Sequence, residues 1–197
     1  MAVRVAVIDS GVNPTHPHLR DGVGGFSGCA TDSLGHGTAV AAAICDLAPN
    51  VWIHSIAVLD ASGRCSCDRV IEAIDEAISS EADFINLSVG LLGVDLEGRF
   101  DAVLKRVEAA GARLVAPATQ EGMWCFPGCM AGVEGVVVDS GIPREAPQRR
   151  EHEGSEYWFA SPYPRDLPGL PKDRNLQGVS LSVANVTGHL AGDLLRR

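Results

Sequence analysis

Three polar residues stand at the margins of apolar or small-residue runs, where a side chain is held firmly yet left open to approach. Asp9 ends the run Val5-Ala6-Val7-Ile8. His36 sits between Gly35 and Gly37, ahead of Thr38-Ala39-Val40-Ala41. Ser180 follows Gly178-Val179 and opens Leu181-Ser182-Val183-Ala184. A carboxylate at the C-terminal end of a buried strand lies where parallel α/β sheets place their ligands. A hydroxyl at the start of a helix lies near unsatisfied amides and the positive end of the helix dipole. Carboxylate, imidazole and hydroxyl are together the parts of an activated nucleophile. Taken singly, each has a plainer reading: Asp9 as a turn or cap residue, His36 as a structural histidine, Ser180 as an N-cap.

The elements that would position these groups follow from hydrophobic spacing. Val3–Ile8, Val51–Val58, Asp83–Val89, Arg113–Ala116 and Val133–Val138 are short, β-branched-rich apolar runs and predict buried strands. Between them, Arg69–Ile78 sets Val70, Ile71, Ile74, Ala77 and Ile78 on one helical face. Leu96–Ala110 does the same with Leu96, Phe100, Val103, Leu104 and Val107, and Gly111 is placed to end it. Strands alternating with helices predict an α/β fold of three layers, a mostly parallel central sheet with helices on both faces. Gly141–Gly178 is rich in proline and charge and predicts a long surface excursion, before a last amphipathic helix over Leu181–Leu195. No repeat or linker divides residues 1–197, so a single domain is expected.

Two more segments run from a strand into a loop: Ile85-Asn86-Leu87-Ser88-Val89-Gly90 and Val115-Ala116-Pro117-Ala118-Thr119-Gln120-Glu121-Gly122. With these, the chain resembles the subtilisin-like serine proteases (subtilases) along its whole length. Ile8-Asp9-Ser10-Gly11 resembles the family's aspartate motif, Gly35-His36-Gly37-Thr38 its histidine motif and Gly178-Val179-Ser180-Leu181 its serine motif, in the family's order. Ile85–Gly90 resembles the strand that pairs with bound peptide, and Val115–Gly122 the segment bearing an oxyanion-hole amide. The resemblance implies that Ser180 attacks the scissile carbonyl, His36 moves the proton and Asp9 orients the imidazole. It further implies that the Ser180 backbone amide and the Gln120 side chain face the oxyanion, and that Ser88, Val89 and Gly90 bind peptide. Glu121 would lie near the pocket rim, and Met123 and Trp124 would line the pocket for the residue before the cleaved bond, although core packing accounts for Trp124 equally well.

The sequence departs from the family at several positions. Gln120 replaces asparagine, Thr119 replaces glycine, and Ala184-Asn185 stand where the family continues Pro-His. Losing an oxyanion donor costs roughly 10²–10³ in turnover, so a peptide-binding pseudoprotease is the rival reading to an endopeptidase with a narrow peptide substrate, such as a precursor leader. The insertion that carries the family's calcium loop is missing after Cys45-Asp46-Leu47-Ala48-Pro49, and neither a metal nor another cofactor is expected.

Composition sets the remaining bounds. The 197 residues are 46% hydrophobic and 21% charged, ordinary for a soluble domain. A net charge of −9 argues against nucleic acid as a partner, and the glycine-rich Gly22–Gly28 stands in the wrong register for a dinucleotide fingerprint. No apolar stretch is long enough to span a membrane, and no secretory or propeptide-sized segment precedes Asp9, so a cytoplasmic protein acting on a peptide or protein substrate is expected. Six cysteines in such a compartment are read mainly as free thiols. The spacing of Cys125 and Cys129 also suits a small disulfide loop or half a zinc site.

Overall fold

The computed structural model describes residues 2–19, 22–93, 96–167 and 169–197. Strand β1 (Arg4–Asp9) buries every residue after its first. Its run of apolar residues follows from a sheet covered on both sides. Val5 and Val7 enter one hydrophobic cluster, Ala6 and Ile8 the other. The chain continues through β2 (Val23–Gly28), α1 (His36–Leu47), β3 (Val51–Ala57), α2 (Cys67–Ser79), β4 (Phe84–Leu87), α3 (Glu97–Ala109) and β5 (Arg113–Pro117). A small hairpin of β6 (Thr119–Gln120) and β7 (Met123–Trp124) precedes β8 (Glu134–Val138), β9 (Gln148–His152), β10 (Ser155–Ala160) and the closing helix α4 (Val179–Leu195).

Eight strands form one sheet in the order β2-β3-β1-β4-β5-β8-β10-β9, parallel except where β9 and β10 pair. Helices α1 and α4 cover one face around Val40, Ile44, Val183 and Val186. Helices α2 and α3 cover the other around Val70, Ile74, Phe100 and Val103. This is the three-layer α/β architecture that the spacing predicts. Ser66 caps α2 by accepting the Arg69 amide at 3.2 Å, and α4 begins two residues ahead of its expected start. Among the described residues, no helix is long and apolar enough to cross a membrane.

The expected surface excursion is only partly one. Residues 148–160 form the β9–β10 hairpin, and β10 joins the sheet beside β8 with Tyr157 and Ala160 buried. The signal is masked because β9, as the edge strand, is exposed throughout and carries Arg149, Arg150 and Glu151. Charges on an edge are the expected guard against strand-to-strand aggregation.

What remains of the excursion is tied down by buried polar groups. The Ser182 hydroxyl donates to the carbonyls of Ala160 and Ser161, and the Asn185 amide donates to those of Ser161 and Tyr163, all within 3.1 Å. Asn185, a departure from the family pattern, therefore anchors the segment that leads into α4.

Candidate active site

Asp9, at the C-terminal end of β1, has no solvent exposure. Its Oδ1 accepts the Ser10 amide at 2.7 Å. His36 opens α1 directly above it, and Nδ1–H meets both carboxylate oxygens at 2.8 and 2.9 Å. Gly37 makes this approach possible: a Cβ there would sit 2.1 Å from the Gly11 carbonyl oxygen and 3.1 Å from the Asp9 Cβ. Any larger residue would lift the helix off the strand and open the His36–Asp9 bond.

A residue absent from the sequence expectations holds the start of α1. Asp32 Oδ1 accepts from the Ser10 hydroxyl and the Gly35 amide, both at 2.8 Å. Its Oδ2 accepts from the Thr38 amide at 2.8 Å and hydroxyl at 2.6 Å. Burial alone would raise its pKa, but the bonds from Thr38, Ser10 and Gly35 outweigh that and hold it below the ordinary 3.8. Asp32 thus supplies acceptors to a helix whose N-cap, Gly35, has no side chain to offer. An acid just ahead of an expected helix start is the signal that points to it.

His36 titrates above the ordinary 6.5. The hydrogen bond to Asp9 is the main cause, burial opposes it, and the charges of Asp9 and Asp32 add to the rise. The imidazole keeps 40% side-chain exposure, so its other nitrogen faces an open cleft.

That cleft, about 510 Å³, is lined by His36, Ser180, Gln120 and Ser88–Leu91, with Leu34, Leu59 and Gly63–Cys65 along the opposite wall. Ser180, in the first turn of α4, points its hydroxyl to the Ser88 carbonyl at 3.1 Å. Nucleophile candidate and imidazole therefore share one cavity, with the hydroxyl parked on the neighbouring strand end. The strand end is itself fixed to α4 through Asn86, which donates to the Ser88 hydroxyl at 3.2 Å and accepts from that of Thr187 at 3.0 Å.

Among the described residues, the backbone groups of Val89 and Gly90 make no hydrogen bond within the chain, whereas Leu91 exchanges two with Phe126 at 2.9 Å. An unpaired stretch of extended backbone beside a nucleophile can receive a peptide as an added strand. Gln120 reaches the same wall: a Cβ on Gly90 would lie 3.3 Å from its Oε1.

Two further residues expected at the substrate pocket are not among the residues lining this cleft. The β6–β7 turn passes through Glu121 and Gly122, with φ of 52° and 79°, and its flanks pair antiparallel, Thr119 with Trp124 and Gln120 with Met123. Glu121 lines an adjoining recess with Val137 and Gly178, which shares Gln120 and Val179 with the cleft. Trp124 faces away and stacks on Tyr157 and His152, ring centroids 5.1 and 5.8 Å apart. The space behind the cleft wall belongs instead to Cys125, fully buried, whose Sγ would lie 2.5 Å from a Cβ on Gly90. Cys125 donates to the Pro117 carbonyl at 3.1 Å, and burial pushes its pKa up to about 12. It is an inert packing thiol, and all six cysteines are free.

Comparison with known proteins adds a sequence measure to this geometry. The profile of the Subtilase family of S8 peptidases matches residues 1–123. The chain belongs to the subtilase family. Subtilisin E of Bacillus subtilis (strain 168) is 34% identical over 134 residues, which is 61% of this chain and 35% of that subtilase. The chain thus spans about a third of that relative's length. Two solved structures share the fold. A prenylagaramide maturation protease superposes with TM-score 0.75 at 23% identity, covering 98% of this chain and 76% of that one. A lanthipeptide protease does so with TM-score 0.72 at 23% identity, covering 96% and 72%. The family match includes Asp9, His36 and Gln120 and stops short of Ser180, so the serine's position rests on the cleft it shares with His36.

Proposed function

We propose that this subtilase is a single-domain serine endopeptidase in which Asp9, His36 and Ser180 form the catalytic triad, acting in the cytoplasm on a narrow peptide substrate such as a precursor leader. The observation that carries the reading is the buried Asp9 carboxylate bonded to His36 Nδ1 in a cleft that also holds Ser180. In the proposed reaction the Ser180 hydroxyl leaves the Ser88 carbonyl for the free imidazole nitrogen. His36 then accepts the proton as Oγ attacks, and returns it to the leaving amine. The Ser180 backbone amide and the Gln120 side-chain amide receive the oxyanion, and the open Val89–Gly90 backbone pairs with the acyl half of the substrate. Two proteins of the same fold, a lanthipeptide protease and a prenylagaramide maturation protease, support a peptide-maturation role.

A fluorophosphonate probe tests the triad. Rapid labelling confined to Ser180 is expected, and Gln120→Ala should slow labelling and turnover by about 10²-fold through loss of one oxyanion donor. Absence of labelling in the folded protein would leave a peptide-binding module without hydrolytic chemistry.

The pH dependence has a definite sign. His36 acts as a base only when neutral, so kcat/KM should rise with pH along an acidic limb whose midpoint lies above 6.5, where the bond to Asp9 holds the imidazole pKa. The Asp32 charge contributes to that rise. Asp32→Asn should therefore move the limb to lower pH, which a kcat/KM profile on one fixed peptide will read. Stability runs the other way. A folded-state pKa raised above the unfolded value stabilises fully below about 6.5, and that contribution is lost as pH climbs through the raised value.

A further inference from the structure

A second cavity, about 470 Å³, lies beside the cleft and shares no lining residue with it. Its floor is the outer face of α1 at Ala39, Ala42 and Ala43. Its lip is formed by Leu167, Leu170 and Leu176, the last two being 38% and 56% exposed. A volume of this size falls within the range of roughly 300–1,000 Å³ typical of ligand pockets. The rim is basic, although the whole chain carries −9: His16, His18, Arg165 and Arg174 line it. Asp32 is the one acid among the described lining residues, and both its oxygens are occupied by Ser10, Gly35 and Thr38. Arg165 already shares Asp46 at 3.2 Å. Among the described residues the Arg174 guanidinium has neither an ion pair nor a hydrogen bond, which leaves a cation beside exposed leucines.

The cavity's location identifies its occupant. One wall reaches Gly35, bonded to His36, and the other reaches Leu176, four residues before Ser180. If His36 protonates the leaving amine, the half of the substrate beyond the scissile bond must emerge on the His36 side. The acyl half, paired along Val89–Gly90, occupies the other cleft. We propose, resting on the protease reading above, that this cavity binds the leaving-side segment of the substrate through an apolar side chain adjacent to a carboxylate, the leucyl-aspartate type. Apolar floor and cationic rim together select such a pair and reject its lysyl counterpart.

The test separates binding from turnover. Full-length protein carrying Ser180→Ala is titrated with fluorescein-labelled Gly-Leu-Asp-Gly and Gly-Leu-Lys-Gly, and binding is followed by anisotropy. The aspartyl probe should bind about fivefold more tightly, the scale of a partly exposed ion pair. Arg174→Glu should reverse the order, and Ala42→Trp should weaken both probes by filling the floor. Should Ala42→Trp melt early, Leu176→Ser removes apolar contact at an exposed position instead. Equal affinity for the two probes, or a preference that Arg174→Glu leaves intact, overturns the site. So does a monomer–dimer equilibrium shifted by Arg174→Glu with peptide binding unchanged, which would assign the cavity to a second copy of the chain. Phosphonate labelling of the wild type reads the protease proposal separately: labelling without a charge preference sinks only this site, and a charge preference without labelling sinks only the chemistry.

Discussion

Ser180→Ala is expected to lower peptide turnover about 10⁶-fold, the scale known for the triad of subtilisin itself rather than one calculated from this geometry. Its cost to stability should be small, because the hydroxyl makes a single hydrogen bond, to the Ser88 carbonyl, and is only part-buried. Removing one such bond changes stability by about 1 kcal/mol. His36→Ala should cause a comparable loss, and combining the two should add almost nothing, since nucleophile and base act as a unit. Single-turnover and steady-state assays on one peptide, beside thermal melts, check all three variants. Turnover within tenfold of wild type in folded Ser180→Ala protein would place the nucleophile on another residue.

The groups in that experiment were legible from sequence, and each marks an element boundary. Asp9 ends a strand, His36 and Ser180 begin helices, and Gln120 follows a strand end, but the resemblance to the subtilase motifs, not periodicity, singles out all four. Periodicity fails where an element lacks an apolar face. Strand β2 holds three glycines in six residues and shows no alternation, and β9 is exposed throughout. Where Glu121 and Trp124 lie relative to the cleft was not legible for another reason. Their placement depends on how a two-residue turn with two positive φ angles aims its flanks, a property of backbone geometry that residue spacing does not encode. For Asp32 the sequence offers only the general signal of an acid ahead of a helix start, because the bonds it accepts from Ser10, Gly35 and Thr38 exist only once the chain has folded.

The largest stability effect should come from a group far from the chemistry. Arg144 is 9% exposed in its side chain. Its guanidinium donates to Asp46, to the Ala43 carbonyl at 3.1 Å and to Asn185 Oδ1 at 3.4 Å. It thereby joins the last turns of α1, the interior of α4 and the start of the chain segment leading to β9. Asp46 also accepts from Arg165 at 3.2 Å, so one carboxylate balances two guanidinium groups. Asp46→Ala would leave the buried Arg144 with only the exposed Glu145, at 4.0 Å, as counter-charge, and breaking a buried pair in this way costs about 3–5 kcal/mol. For a domain of this size that is a large part of a total stability of about 5–15 kcal/mol, and should lower the melting temperature by roughly 10 °C. Arg144→Met should cost less, because Asp46 retains Arg165 and 27% exposure. Joining Arg144→Met with Asp46→Leu should recover much of the loss, since an apolar pair removes both desolvation penalties. Urea titrations of the three variants decide the matter. If Asp46→Ala proves no worse than Arg144→Met, the guanidinium is reaching solvent, and the clamp between α1, α4 and the segment beyond β8 is packing rather than charge.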